Sequence, residues 1–190
     1  MQAVVVYESM YGNTHVVADA IGRGIGAFAE VKVVPITDAT THVVASADLL
    51  VVGGPTHAHG MSRVNTRKSA VNASRRPAAS LALDPESQGP GVRAWLTSLP
   101  PVKAKAVAFD TRFAGPAAAT GRASRGITRG LRRRGFEVVA KPESFFVDKQ
   151  NRLRGGEEDR AVAWGEQLAA NLMPGRLPEK QRTGSGDDGQ

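Results

Sequence analysis

Short apolar runs with few polar positions recur along the chain, as is typical of strands buried on both faces of a parallel sheet. Pro35 cannot donate a hydrogen bond to a neighbouring strand, so the run that contains it is expected at an edge of the sheet. The predicted strands cover residues 3–7, 31–36, 49–53, 102–109 and 136–140, with a continuation of the last over 144–147.

The stretches between these runs carry apolar residues at helical spacing, which predicts a helix after most strands. The clearest case is 157–172, where Ala161, Trp164 and Leu168 recur on one side. Gly135 is a typical helix end and is expected to terminate the helix before it. The other predicted helices cover residues 13–28, 38–45, 91–99 and 117–134.

Two segments lack a regular pattern. Residues 62–90 are rich in Arg, Ser, Ala and Pro, and we predict a long basic loop with at most one helical turn there. Residues 174–190 are rich in Gly, Pro and charge, which is typical of a disordered tail. The chain is therefore predicted to form a single domain over residues 1–173, long enough to bury a substantial core.

The alternation of strands and helices predicts an α/β fold. Helices on both faces of a parallel sheet give a doubly wound, three-layer sandwich, here with five strands. Such sheets bind ligands beyond the carboxyl ends of their strands, at the point where the strand order reverses. Three polar or Gly-rich loops follow the first, third and fourth predicted strands, so we expect the functional site at that edge.

The turn after the first predicted strand is the most specific motif of the chain. A helix N-terminus combined with several hydroxyls and backbone N–H groups suits a phosphate, although the same residue types also serve as ordinary helix caps. The turn has one Gly and no Lys, so it matches neither of the common Gly-rich nucleotide-binding motifs. It consists of Ser9, Met10, Tyr11, Gly12, Asn13 and Thr14.

The second and third loops are less specific. Residues 53–61 read Gly-Gly-Pro-Thr-His-Ala-His-Gly-Met, and residues 110–116 read Asp-Thr-Arg-Phe-Ala-Gly-Pro. The two histidines have no further ligand cluster beside them, so no metal site is predicted. The sequence contains no Cys, which excludes disulfides, thiol catalysis and thiolate metal sites. Any redox chemistry would therefore need a bound cofactor.

With these three loops in this order, the chain resembles the flavodoxin-like family of FMN-binding proteins. The first loop is close to the family's [ST]-x-[TY]-G-x-T fingerprint, and the Gly-Gly-Pro-Thr segment is a further match. The resemblance covers residues 1–172. It implies a flavodoxin-like fold, FMN as the cofactor, and transfer of electrons between redox proteins as the function.

The resemblance also implies a role for each loop. The first loop would bind the FMN phosphate through its hydroxyls, its amide side chain and its backbone. The second would contact the ribityl chain and one face of the isoalloxazine ring through Pro55, Thr56, His57, Ala58, His59 and Gly60. The third would contact the other face or the polar edge of the ring through Asp110, Thr111, Arg112, Phe113 and Gly115.

Charge is distributed unevenly along the sequence. The net charge is +7, and residues 61–134 alone hold fifteen Lys and Arg against three Asp and Glu. Electron-carrying flavodoxins are usually acidic around the flavin, whereas His57, His59, Arg63 and Arg112 flank the predicted ring site here. Because cations favour an anionic reduced flavin, we expect a higher potential for the fully reduced state than in an acidic carrier.

A stripe of arginines is predicted on one side of the helix at 117–134. It is interpreted either as a solvated outer face or as a docking patch for an acidic redox partner, and NADPH is a further anionic candidate. No nucleic-acid motif accompanies the stripe, so nucleic acid is not expected as a partner. The stripe consists of Arg122, Arg125, Arg129, Arg132 and Arg133.

Three functions stay open at the level of the sequence. The first is an FMN-binding carrier of electrons between proteins, and the second is an FMN-dependent NAD(P)H oxidoreductase acting on a quinone or similar small acceptor. The third is a flavin-free interaction module. No apolar run is long enough to span a bilayer and the sequence starts without a signal-peptide pattern, so a cytoplasmic location without membrane insertion is expected.

Overall fold

A parallel sheet forms the centre of the protein. The computed structural model describes residues 1–74 and 82–175. Neighbouring strands follow the order β2-β1-β3-β5-β6, with the short β4 antiparallel to β3. The strands are β1 (Gln2–Tyr7), β2 (Glu30–Pro35), β3 (Leu49–His57), β4 (Gly60–Met61), β5 (Lys105–Phe113), β6 (Glu137–Val138) and β7 (Glu143–Val147).

The outer position beside β5 is divided between two short strands. The strand β6 pairs with Lys105 and Ala106 at the start of β5, whereas β7 pairs with residues 109–113 at its end. Pro142 lies between them and cannot donate to a ladder, which explains the interruption. The predicted fifth strand at 136–140 is thus shorter than expected, and its predicted continuation is a strand of its own. The strand β2 lies at the opposite edge, as predicted.

Two layers of helices cover the sheet, which confirms the predicted doubly wound α/β sandwich. Buried residues of α1 and α7 pack against one face, and those of α2, α4 and α6 against the other. The helices are α1 (Asn13–Gly26), α2 (Thr41–Ala45), α3 (Val64–Ser74), α4 (Val92–Ser98), α5 (Ala117–Thr120), α6 (Ala123–Arg133) and α7 (Glu157–Leu172), with a 3-10 helix at Pro85–Gln88.

The strands are buried on both faces because their side chains alternate between the two cores. In β1, Val4 and Val6 belong to the core under α4 and α6, whereas Ala3 and Val5 belong to the core under α1 and α7. Such strands carry apolar residues at every position, which is the pattern that the sequence shows at 3–7.

The segment 62–90 differs from the predicted long loop. The helix α3 occupies eleven of its residues, and the 3-10 helix a further four. Only Ala70 of α3 is buried. A helix that buries one side chain has no apolar stripe, which is why no helical period was visible in the sequence.

The predicted helix at 117–134 is divided into α5 and α6. Between them, Gly121 adopts a φ of 76° and pairs with His59 in an isolated bridge. A Cβ at this position would lie 2.1 Å from the Cα of His59, so only glycine allows the chain to pass there. Arg122 is consequently extended and half-buried and lies outside the helix, so its predicted place in the arginine stripe is wrong.

Some of the predicted features lie outside the residues that the structure describes. Residues 176–190 of the predicted tail lie outside the described residues, as do Arg75 and Arg76 of the basic segment. The domain boundary at residue 173 stays a prediction. In the part of the chain that the structure describes, no helix has the length and apolar character needed to cross a membrane.

Candidate functional site

A cleft of about 440 Å³ opens at the carboxyl ends of β1, β3 and β5. The strand order reverses between β1 and β3, which is where doubly wound sheets bind ligands. Residues of all three predicted loops meet there. Those that line the cleft are Met10, Tyr11, Asn13, Thr14, Pro55, Thr56, His57, Ala58, Thr111, Arg112 and Phe113.

The first loop places the N-terminus of α1 beside the cleft. Gly12 precedes the helix with a φ of 87°, and its N–H donates to the hydroxyl of Ser9 over 3.1 Å. No side chain caps the helix from this position. A Cβ on Gly12 would meet nothing within 4 Å, so the turn faces open space. The first amides of α1 are therefore directed towards a position that an anion can occupy.

A hydroxyl pair joins the first loop to the third. The Oγ1 atoms of Thr14 and Thr111 lie 2.8 Å apart, and both side chains are buried. Either hydroxyl can donate in this pair, and each retains lone pairs and a rotatable proton. The pair fixes the start of α1 against the end of β5, so that two hydroxyls lie next to the uncapped helix.

The second loop forms a tight hairpin between β3 and β4. Ala58 and His59 occupy its two central positions with φ values of 43° and 72°. Positive φ at both positions is the feature of a type I′ turn, which Asn and Gly usually supply. Burial lowers the pKa of His57, an effect that Glu8 opposes and Arg67 reinforces. His57 is therefore a neutral, flat side chain at neutral pH rather than the cation expected from the sequence.

The predicted third loop is wrong in its first four residues, because residues 110–113 belong to β5. Asp110 is directed away from the cleft. Its side chain is fully buried, and its Oδ2 accepts the N–H of Ser124 over 2.7 Å. Thr56 Oγ1 accepts the N–H of Ala123 over 2.9 Å. These two side chains cap α6, because the residue at its N-cap position provides no such bond. The cap links the second and third loops through one helix.

Arg112 lines the cleft, but its guanidinium already donates hydrogen bonds to other groups of the protein. Its Nη1 donates to the carbonyl of Gly115 over 2.9 Å and to Thr120 Oγ1 over 2.6 Å. The guanidinium lies 4.7 Å from the ring centre of Phe146. Burial lowers the pKa of Arg112, and Asp110 partly opposes this. Phe113 beside it is half-exposed and presents an aromatic ring at the rim.

Six of the predicted residues do not line the cleft. Four of them support it, because Ser9 holds the first turn, His59 and Gly60 belong to the hairpin, and Gly115 holds Arg112. Asp110 caps α6. Gly12 forms the turn that exposes the amides of α1. Their predicted contacts with a cofactor stay predictions.

The cleft has two walls that sequence reasoning missed. Asn13 Nδ2 donates to the carbonyl of Asn151 over 2.8 Å, which brings the loop after β7 to the start of α1. Tyr11 donates its hydroxyl to the carbonyl of Ala70 in α3 over 3.1 Å. These contacts join positions 138 and 59 residues apart, and neither segment carries a motif. The added lining residues are Thr66, Ser69, Ala70, Val147, Lys149 and Asn151.

A buried ion pair holds α3 in this position. Glu8 follows β1 directly, and its Oε1 lies 2.7 Å from Nη1 of Arg67 in α3. Its Oε2 accepts hydrogen bonds from Ser62 Oγ and from the N–H of Val92, each over 2.8 Å. Arg67 also donates to the carbonyls of Ser87 and Gly89. One carboxylate thus fixes both ends of the segment 62–90 beside the first loop.

The donor set of the cleft suits an organic phosphate better than a metal ion. Within residues 1–74 and 82–175, no three His, Asp or Glu side chains are placed to hold a metal together. The cleft offers hydroxyls and helix amides for a phosphate, the cations Arg112 and Lys149, and flat side chains for an aromatic ring. Its volume lies within the range of about 300–1,000 Å³ that is usual for small-molecule sites.

Comparisons with known proteins agree with this geometry. The family model named flavodoxin matches residues 5–83, which include the first two loops. Over these residues, which are less than half of its length, the chain is similar to the flavodoxin family. Flavodoxin is itself an example of the rule that ligands bind where the strand order reverses. No curated protein matches the sequence of this flavodoxin-like chain.

Solved structures share the flavodoxin-like fold at low identity. A flavodoxin from the domain Archaea is 19% identical with a TM-score of 0.60, and the match covers 90% of this chain and 99% of the other. Oxidised flavodoxin 1 from Bacillus cereus is 18% identical with a TM-score of 0.62, covering 91% and 100%. A WrbA-like flavodoxin from Agrobacterium tumefaciens is 19% identical with a TM-score of 0.54, covering 90% and 96%.

Proposed function

We propose that this flavodoxin-like protein binds FMN in the cleft and transfers electrons between redox proteins. The observation that carries the proposal is the uncapped N-terminus of α1, where Gly12 leaves the amides facing open space beside the ends of β3 and β5. The match to the flavodoxin family over residues 5–83 supports it, because the residues that form this site fall largely within the match.

The phosphate of FMN would lie at the start of α1. The amides of the first helical turn, together with Thr14 and Asn13, would bind its oxygens. Lys149 lies on the rim of the same cleft and is exposed. It can supply the positive charge that the first loop lacks.

The isoalloxazine ring would lie between the second and third loops. His57 is neutral and flat, and Phe113 presents a half-exposed ring on the other side of the cleft. Both suit stacking against an aromatic ligand. FMN, when bound, supplies the electron-transfer chemistry, and the protein supplies binding, orientation and charge.

A second candidate function is the direct oxidation of NAD(P)H. A neighbouring depression of about 570 Å³ shares Phe113 and Lys149 with the cleft and also contains Arg154. The cations Lys149 and Arg154, which line this depression together with Phe113, suit the phosphates of a nicotinamide nucleotide. This observation keeps an FMN-dependent NAD(P)H oxidoreductase, acting on a quinone or similar acceptor, as the alternative.

Titration of the purified full chain with FMN and with riboflavin tests the proposal. We expect saturable binding of FMN, about tenfold or more tighter than that of riboflavin, because only FMN carries the phosphate. Lys149→Ala should weaken FMN binding about threefold to tenfold and leave the affinity for riboflavin unchanged. Arg152→Ala is the matched control, since Arg152 is on the same loop but pairs with Asp148. Absence of saturable FMN binding would contradict the proposal and favour a flavin-free interaction module.

Rapid mixing of the FMN-loaded protein with NADPH separates the two candidate functions. A carrier needs a separate reductase, so the flavin absorbance should decay only slowly when NADPH is added alone. Rapid bleaching that saturates with NADPH, and that Arg154→Ala slows, would favour the oxidoreductase instead.

A further inference from the structure

Four arginines of α6 form an exposed cationic surface without acidic neighbours on their own helix. Arg125, Arg129, Arg132 and Arg133 are exposed, and the chain contains no Asp or Glu between Asp110 and Glu137. Among the described residues, none of these four arginines lies within 4 Å of a carboxylate in an ion pair. Their charges are therefore available to an external anion.

This surface extends to α4. Arg93 of α4 is exposed and donates to the carbonyl of Met61 over 3.3 Å. Met61 in turn contacts α6, because a Cβ on Gly126 would lie 3.0 Å from its terminal methyl. We call the five residues Arg93, Arg125, Arg129, Arg132 and Arg133 the arginine face.

The arginine face begins next to the cleft. The first turn of α6 is held by Thr56 Oγ1 on the N–H of Ala123, and the N–H of Arg122 donates to the carbonyl of His59 over 3.3 Å. Both Thr56 and His59 belong to the second loop of the site. From there, the eleven residues of α6 extend about 16 Å away from the cleft.

The opposite helical layer has the opposite charge. The helix α7 begins with Glu157, Glu158 and Asp159 and also carries Glu166, against Arg160 as its one cation. Glu157 pairs with Arg160 and Glu158 with Arg23 of α1, so the negative charge that remains on α7 comes from Asp159 and Glu166. The protein therefore has a cationic side and an acidic side, separated by the sheet. A partner with an acidic surface is attracted to the arginine face and repelled by the α7 side, which fixes its orientation.

We propose that the arginine face docks the acidic surface of a redox partner protein, and that the docked partner covers the rim of the cleft. This inference rests on the proposed function, because it names the partner of the same site. A protein is favoured over nucleic acid because the described residues of α4 and α6 expose no aromatic side chain for stacking on bases, and Trp95 of α4 is buried. The position of the arginine face beside the cleft also suits a partner that exchanges electrons with a bound cofactor.

Binding of an acidic plant-type [2Fe–2S] ferredoxin to the full chain, with and without FMN, tests the inference. The variant carries Arg125→Glu, Arg129→Glu and Arg132→Glu. Its matched control carries Lys32→Glu, Lys105→Glu and Lys141→Glu, which change the net charge equally at exposed positions outside α4 and α6. We expect the α6 variant to weaken ferredoxin binding about tenfold or more, and the control to weaken it about twofold or less. Raising the salt from about 20 to about 300 mM should also weaken binding to the unmodified protein.

Three results would overturn the inference. Equal weakening by both variants would show attraction to net charge alone, and undetectable ferredoxin binding at low salt would exclude this class of partner. Tighter, α6-dependent binding of a DNA duplex would assign the surface to nucleic acid. FMN affinity is measured on the same samples and should be equal in all three proteins. A protein that binds ferredoxin through α6 but never binds FMN would contradict the proposed function alone.

Discussion

At the scale of single residues, the hairpin of the second loop carries backbone strain. Ala58 has a φ of 43°, a conformation that costs an L-residue about 1–2 kcal/mol and glycine almost nothing. Ala58→Gly should therefore stabilise the protein, by about 0.5 kcal/mol after the greater freedom of glycine in the unfolded chain is included. Urea unfolding of the protein without cofactor measures the change.

The same substitution in a helix is its control. Ala163 is an exposed residue within α7, where glycine should destabilise by about 0.5–1 kcal/mol. The change in unfolding free energy is expected to have opposite signs at the two positions. Destabilisation at both would mean that Ala58 does not adopt a left-handed conformation in solution.

His57 should make the stability of the protein without cofactor depend on pH. Burial lowers its pKa in the folded state, so below its ordinary pKa the unfolded chain binds the proton more readily. Its contribution is complete above about pH 6.5 and is lost as the pH falls from there to the lower folded pKa. His57→Gln should thus reduce the loss of unfolding free energy between pH 7.5 and pH 5, relative to the unmodified protein.

His42→Gln gives the comparison, because His42 is exposed on α2. It should reduce the loss of stability on acidification less than His57→Gln does, because it removes no buried imidazole. If His57→Gln lost as much stability on acidification as the unmodified protein, burial of the imidazole would not be what makes this loop sensitive to pH.

At the scale of elements, the position of α3 depends on the ion pair between Glu8 and Arg67. The carboxylate of Glu8 is buried. A substitution that removes its charge leaves Arg67 without a counter-ion. Glu8→Gln should therefore lower the free energy of unfolding by about 3 kcal/mol. It should also weaken FMN binding, since α3 forms one wall of the cleft. Chemical unfolding and FMN titration measure the two effects.

The pair between Glu158 and Arg23 is the matched control. It joins α7 to α1, but both side chains are about half exposed. Glu158→Gln should cost less than about 1 kcal/mol and leave FMN binding unchanged. Equal costs for the two substitutions would contradict the view that Glu8 holds the segment 62–90 at the site.

The elements differ in how far their sequence predicts them. The helix Glu157–Leu172 and the strand that begins at Leu49 follow directly from their apolar patterns, because both bury several side chains. The helix α3 was not predicted because it buries only Ala70. The wall formed by Asn151 depends on a contact with Asn13, 138 residues away in the sequence. The turn that the N–H of Asn151 closes on the carbonyl of Asp148 has no sequence signal that distinguishes it from other polar turns. The loops of the site were thus predictable from motifs, whereas its walls were not.

At the scale of the whole molecule, the charge around the cleft determines the expected redox behaviour. The cations that line the cleft are Arg112 and Lys149, whereas Asp110 is buried against α6. The residues that supply positive charge thus differ from the sequence-based set, because His57 is neutral and Arg63 lies outside the cleft, in a groove between α3 and α4. The expected direction is unchanged, since a cationic site favours an anionic reduced flavin.

Redox titration of the FMN-loaded protein should therefore give a higher potential for the second reduction step than an acidic flavodoxin has. Charges more than about 8–10 Å away are largely screened at physiological salt, so Lys149 should matter more than the arginine face. Lys149→Ala should lower this potential by about 20–40 mV, equivalent to roughly 0.5–1 kcal/mol of Coulomb energy, whereas the triple α6 variant should change it less. A strongly negative second potential in the unmodified protein, or a larger shift from α6 than from Lys149, would mean that charge at the rim of the cleft does not control the reduced flavin.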